Sequence, residues 1–222
     1  MIETYLPNVD WTKMWDATVE TLYMTAVSTI FTFVIGLALG ILLFLTAPGH
    51  IWANKLVNLL TGSIVNIFRS IPFIILIILL IPFTKFLIGT IRGPEAAMPA
   101  LIIGAAPFYG RMVLIALSEI DKGVLEAARS MGAKTSTIIF KVLLPESMPA
   151  LISGITVTAI ALVGYTAMAG IIGAGGLGTL AFLDGFQRNR EDVTLVSTVL
   201  ILVVVFILQF AGDFAVKRLD KR

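Results

Sequence analysis

Residues 119–149 read EIDKGVLEAARSMGAKTSTIIFKVLLPESMP, the one long polar interruption in a very apolar chain. The stretch reads as a compact helix-turn-helix. Asp121 is a good N-cap, with Ile120 and Leu125 at staple spacing on either side of it. The spacing predicts a helix over Lys122–Met131 that stops at Gly132, the residue type that takes a left-handed cap cheaply. At about 100° per residue, Val124, Leu125, Ala127, Ala128 and Met131 share one face. Lys122, Glu126, Arg129 and Ser130 share the other. Thr135 is placed to cap a second helix ending at Leu144, because Pro145 cannot continue the hydrogen-bond ladder. Two alanines on the apolar face admit another surface at close range, where a helix lying in headgroups would carry Leu, Phe or Trp. A plain surface helix between two membrane spans fits the same pattern.

Around this stretch the composition sets the class. Hydrophobic residues make up 58% of 222 residues, charged residues 14%, and the mean hydropathy is +0.98. Soluble domains average about 25% charged residues, so the expected fold class is an all-α polytopic membrane protein. The pI near 9.0 goes with a net charge of only +2, so it does not indicate nucleic-acid binding. With no Cys and a single His, His50, there is no disulfide, thiolate or His-cluster chemistry to expect.

Outward from the centre, five apolar spans are expected, at about 21–45, 70–88, 95–117, 149–172 and 193–211. Together they form a single transmembrane domain over 1–222. Residues 1–18 carry Glu3, Asp10 and Asp16 against Lys13 alone, which is not the basic start of a signal peptide. In the first span Thr21, Thr25, Ser28, Thr32, Gly36 and Gly40 form a small, weakly polar stripe. Gly36 and Gly40 are also a GxxxG pair, which predicts close helix packing over a solute-lining face. Pro48-Gly49-His50 makes the first turn. Trp52–Phe68 reads as a helix in the interface or inside the bundle, leading through Arg69 and Pro72 into the second span. An intramembrane arginine faces a cavity or a partner, or snorkels to the boundary. In the third span Gly104-Ala105-Ala106-Pro107 is rich in small residues, and Arg111 is spaced to pair with Glu119. The fourth span offers Ser153, Thr156, Gly164, Tyr165 and Met168 as its few non-aliphatic groups.

With residues 119–149 on the cytoplasmic side, five spans leave the N-terminus outside and the C-terminus inside. Lys55, Arg69, Arg111, Lys122, Arg129, Lys134, Lys141, Lys217, Arg218, Lys221 and Arg222 then lie inside. Lys13, Lys85, Arg92, Arg188 and Arg190 lie outside. Eleven against five agrees with the positive-inside rule.

Gly173-Ala174-Gly175-Gly176-Leu177-Gly178 matches GxGxxG literally, with Asp192 downstream. The dinucleotide fingerprint needs a strand-turn-helix, whereas this run follows an apolar span, so a flexible re-entrant or extracellular loop is the better account. No Walker A sequence, catalytic triad, carboxylate pair or metal cluster is present, so no enzyme is expected. An ion-coupled secondary transporter would show repeats or acidic residues deep in its spans. None is evident.

Glu126-Ala127-Ala128, Gly132 four residues on, then nine residues and Val142-Leu143-Leu144-Pro145 resembles the EAA–G–LP signature of ABC-importer permeases, with Val142 replacing the usual Ile. The tracts NIFRSIPFIIL from Asn66 and GAAPFYGRM from Gly104 are similar to those of methionine ABC importer permeases in particular. The resemblance covers nearly the whole chain. It implies about five helices in a type I importer permease arrangement, in the bacterial plasma membrane. It also implies a homodimer with two ABC ATPase subunits beneath and a substrate-binding lipoprotein above. ATP and Mg would sit on the ATPase and no cofactor on this chain. The segment 119–147 would be the cytoplasmic coupling helix, with Glu126, Ala127, Ala128, Gly132, Leu144 and Pro145 as its marker residues. Methionine is the implied substrate, with a polar amino acid or a quaternary amine as the alternative. Tyr165, Met168 and Arg69 are candidates for the solute path; Tyr165 and Met168 read equally as packing, and Arg69 equally as a residue snorkelling to the inner boundary.

Overall fold

The computed structural model describes residues 6–219, so Glu3, Asp220, Lys221 and Arg222 lie outside the described residues. Every regular element among them is helical. Asp10 accepts hydrogen bonds from the backbone N–H groups of Thr12 and Lys13 and so starts α1, Trp11–Thr46. This helix begins well before the apolar run does. At 36 residues it is about 54 Å long, against a hydrocarbon core of roughly 30 Å.

The GxxxG face of α1 lies along α5, Pro94–Ser118. A Cβ on Gly36 would stand 2.8 Å from the Ala106 carbonyl oxygen, and one on Gly40 would meet Val113. Ser28 and Thr32 are fully buried, and their hydroxyls, with those of Thr25 and Thr29, find no partner among the described residues. The stripe is therefore a packing seam between helices of this chain and not a solute-lining face. α5 is the most enclosed of the long helices, packed against α1 on one side and the helix over Thr135–Ile171 on the other.

Asn54 caps α2, Lys55–Ser70, through the N–H groups of Leu56 and Val57. The expected single helix over 70–88 is replaced by two short ones, α3 at Phe73–Leu79 and α4 at Ile81–Ile88. Pro82 supplies the reason. It has no N–H to give the turn before it, and its ring excludes the carbonyl four residues back, so the chain breaks at Leu80 and restarts with proline in the first turn. The axes of α2 and α3 also turn by 106° across Ile71 and Pro72. No single straight helix therefore covers the second apolar run.

α6, Lys122–Ser130, is the short polar helix. After it a continuous helix, α7, runs Thr135–Ile171. The expected stop before Pro145 does not occur. The turn over Ile139–Leu143 is a π-helix in which the Leu144 N–H bonds to the Ile139 carbonyl. That wider turn lies directly before Pro145, which has no backbone donor of its own. Nor does the Thr135 side chain cap the helix. Lys134 occupies that position without a side-chain bond. The chain re-enters as α8, Gly176–Phe186, and ends in α9, Glu191–Leu219.

The molecule has two distinct ends. At one, the turn after α1, the segment around α6 and the last residues of α9 gather: Phe44, Leu45, Leu125 and Ala128 share a core, and Leu219 meets Glu119, Asp121 and Pro145 across a groove. At the other end, Asn8 bonds to the Asp192 carboxylate and the Gly93 N–H to the Gly173 carbonyl.

Candidate functional site

The polar segment is locally determined. The Asp121 carboxylate accepts from the Gly123 N–H at 2.6 Å, and Ile120 and Leu125 are both buried on either side of that cap. Gly132 has φ +73°, the left-handed conformation, and no atom lies within 4 Å of where its Cβ would be. Its need for glycine is a matter of backbone conformation and not of space.

The apolar face of α6 is divided in two. Leu125 and Ala128 point inward and pack with Ile138 and Leu143, leaving Ala128 only 5% exposed. Val124, Ala127 and Met131 point outward, Met131 being 80% exposed. The small size of Ala128 therefore answers internal packing, while Ala127 presents a small side chain to the surroundings. Glu126 and Arg129 are exposed beside it. Leu144 and Pro145 sit just beyond the π turn, inside α7. An open groove of about 740 Å³ runs from Glu119 and Asp121 past Pro145 and Glu146 to Ala150 and Leu219. Arg111 makes no ion pair with Glu119. The ion pairs among the described residues are Lys13 with Asp10 and Arg188 with Asp184.

His50 borders this end. Its ring meets Phe44 edge-on at 4.3 Å. Burial, and then the positive charges of Arg129 and Lys122, hold its pKa below the ordinary value.

A second site opens where α2 breaks into α3. Phe68, Arg69, Ile71, Phe73, Leu76, Gly104, Phe108 and Tyr165 line a cleft of about 290 Å³. The rings of Phe73 and Tyr165 are stacked, 4.4 Å apart and 4° from parallel. The Arg69 guanidinium lies 6.0 Å from the centre of the Phe108 ring. Among the described residues it has no carboxylate within ion-pair range. At about 1.5 Å per residue, Gly104 and Phe108 lie about 15 and about 21 Å from the Pro94 end of α5. The cleft is thus near the middle of that 25-residue helix, and Arg69 lines it. Two of the three candidates, Arg69 and Tyr165, are brought together here. Met168 is exposed and lies outside the lining.

The glycine run is ordered by a residue that sequence reasoning missed. Glu20 accepts from the Gly176 N–H at 2.6 Å, and the Thr21 hydroxyl accepts from the Leu177 N–H at 2.9 Å. Gly173, Gly175 and Gly176 all have positive φ, and Gly176, Leu177 and Gly178 are buried. A Cβ on Gly178 would strike the Ala167 backbone. The run is a packed re-entrant turn, not a flexible loop. With the first span expected to open at Thr21, Glu20 fell just outside it.

The family described as "Binding-protein-dependent transport system inner membrane component" matches residues 36–222. The chain is 68% identical, over the full length of both, to the methionine import system permease protein MetP of Bacillus subtilis. It is 47% identical to a probable D-methionine transport system permease protein, MetI, of Pasteurella multocida, over 95% of this chain and 99% of that one. Among solved structures, an inward-facing MetNI methionine ABC transporter contains a chain with TM-score 0.93 and 47% identity, covering 96% of this chain and 100% of that one.

Proposed function

The chain belongs to the family of binding-protein-dependent transport system inner membrane components, and from that membership we propose that it carries methionine across the membrane. The observation that carries the substrate is the 68% identity, end to end, with a methionine import permease. In this reading two copies of the chain form the path. Two ATPase subunits, holding ATP and Mg, bind from the cytoplasm, and a binding lipoprotein delivers solute from outside.

The segment 119–147 is the ATPase contact. Val124, Ala127 and Met131 offer the partner an exposed apolar surface flanked by Glu126 and Arg129. Gly132 sets the angle between α6 and α7, and Leu144 and Pro145 follow the π turn within α7. Movement of the ATPases would then be passed along α7 to Tyr165 and the cleft it shares with Arg69. Met168, exposed one turn further on, would face the second copy or the path between the two copies.

The test is uptake of radiolabelled methionine by a methionine auxotroph without other importers, supplied with this chain, its ATPase and its binding protein. Accumulation at low external methionine is expected. Accumulation of a quaternary amine or a polar amino acid in its place would overturn the substrate.

A further inference from the structure

An arginine near the middle of a membrane helix bundle is costly unless it faces a cavity or a counter-charge. Arg69 faces a cavity, and no acidic side chain lines that cavity with it. Close by, Phe73 and Tyr165 are stacked nearly parallel. Gly104 makes room for the Phe73 ring: a Cβ there would stand 3.2 Å from both Phe73 and Leu76. The cleft thus offers one fixed positive charge and one flat aromatic wall in about 290 Å³. That is close to the lower end of small-molecule sites, roughly 300 to 1,000 Å³, and so suits a single small solute.

We propose that this cleft is a transient solute site in the membrane that takes an amino acid by its two ends, the α-carboxylate on Arg69 and the uncharged side chain on the Phe73–Tyr165 wall. The inference rests on the reading of the chain as an amino-acid permease and deepens it by naming the residues that select. Guanidinium geometry suits a carboxylate. A polarizable thioether gains from an aromatic neighbour where a methylene of the same size gains less. A basic side chain adds a positive charge beyond the zwitterion's own and meets repulsion from Arg69, with no acidic residue in the lining to offset it. The site is therefore selective by charge first and by polarizability second.

The experiment uses proteoliposomes holding the complete complex, with the same saturating binding protein in every arm, and normalises uptake to assembled complex. Solutes are methionine, its carboxamide and norleucine. Because the binding protein is constant, a change in ratio between variants belongs to the permease. Arg69→Gln is expected to lower the methionine-to-carboxamide uptake ratio about tenfold or more, and Arg69→Lys to restore part of it. Tyr165→Leu is expected to lower the methionine-to-norleucine ratio by about two- to tenfold while leaving the carboxamide ratio in place. If both ratios stay at their wild-type values, the site is overturned, whatever happens to total uptake. If the wild-type complex fails to take up methionine, the substrate reading fails instead. The carboxamide comparison on whichever amino acid is carried then decides Arg69 separately.

Discussion

At the scale of single residues, neighbours on one short helix answer different constraints. Ala128 is enclosed by Leu125, Ile138 and Leu143, whereas Ala127 is exposed. Ala128→Gln would bury an amide in an apolar pocket and overpack it, at a cost of about 1–3 kcal/mol. A lower thermal midpoint of the purified chain in detergent checks this. Ala127→Gln is expected to leave that midpoint alone and to weaken ATPase retention on affinity resin. Gly132 has open space around its α-carbon but a φ of +73°, so Gly132→Val strains the backbone by about 1–2 kcal/mol, while Gly132→Asn is milder. Uptake at equal membrane levels should fall in that order. His50 adds a pH dependence. Its folded pKa lies below the ordinary value, so the unfolded chain binds the proton more readily. The stability contributed by neutral His50 is therefore present above the unfolded pKa of about 6.5 and is lost as pH falls through the folded value. The thermal midpoint should drop between about pH 7.5 and about pH 5.5, and His50→Asn should flatten that drop.

At the scale of elements, what could be read from the sequence was what neighbouring residues decide among themselves. The Asp121 cap, the Ile120–Leu125 pair and the Gly132 stop lie within thirteen residues of one another, and all three take the positions expected. The stripe from Thr21 to Gly40 was legible because a helix brings every third or fourth residue to one face. Its meaning as a seam needed the partner, α5. The break at Leu80 was not seen, since Pro82 is hidden in an apolar run whose length alone suggested one span. A proline after an apolar turn reads the same whether the helix stops or widens into a π turn before it, and the Glu20–Gly176 bond joins residues 156 apart in sequence. Helix seams give the prediction that belongs at this scale. Gly36→Leu would drive a side chain into Ala106 and Tyr109 and should prevent recovery of folded chain from detergent. Gly164→Ala meets nothing within 4 Å and should raise the midpoint slightly, by up to about 1 kcal/mol of helix propensity.

At the scale of the whole molecule the helices sort the charges between two ends. Lys55, Lys122, Arg129, Lys134 and Lys141 gather with the last turns of α9, which carry Lys217 and Arg218. Lys13, Lys85, Arg92, Arg188 and Arg190 lie towards the end where α8 and the glycine turn are held by Glu20 and Thr21. From the excess of lysine and arginine at the α6 end we propose that this end faces the cytoplasm, as the positive-inside rule would have it. That is also the side on which an ATPase partner would have to stand. The chain has no cysteine, so single cysteines report sidedness without a background to remove. In intact cells a membrane-impermeant maleimide should label Asn189→Cys, in the exposed turn before α9, and should spare Lys134→Cys until the cells are opened. Labelling of Lys134→Cys from outside, with Asn189→Cys protected, would reverse the molecule. It would put the outward face of α6 where no ATPase can reach it, and the coupling role of Ala127 and Met131 would fall with it. The Arg69 cleft, set midway between the two ends, would keep its chemistry in either orientation.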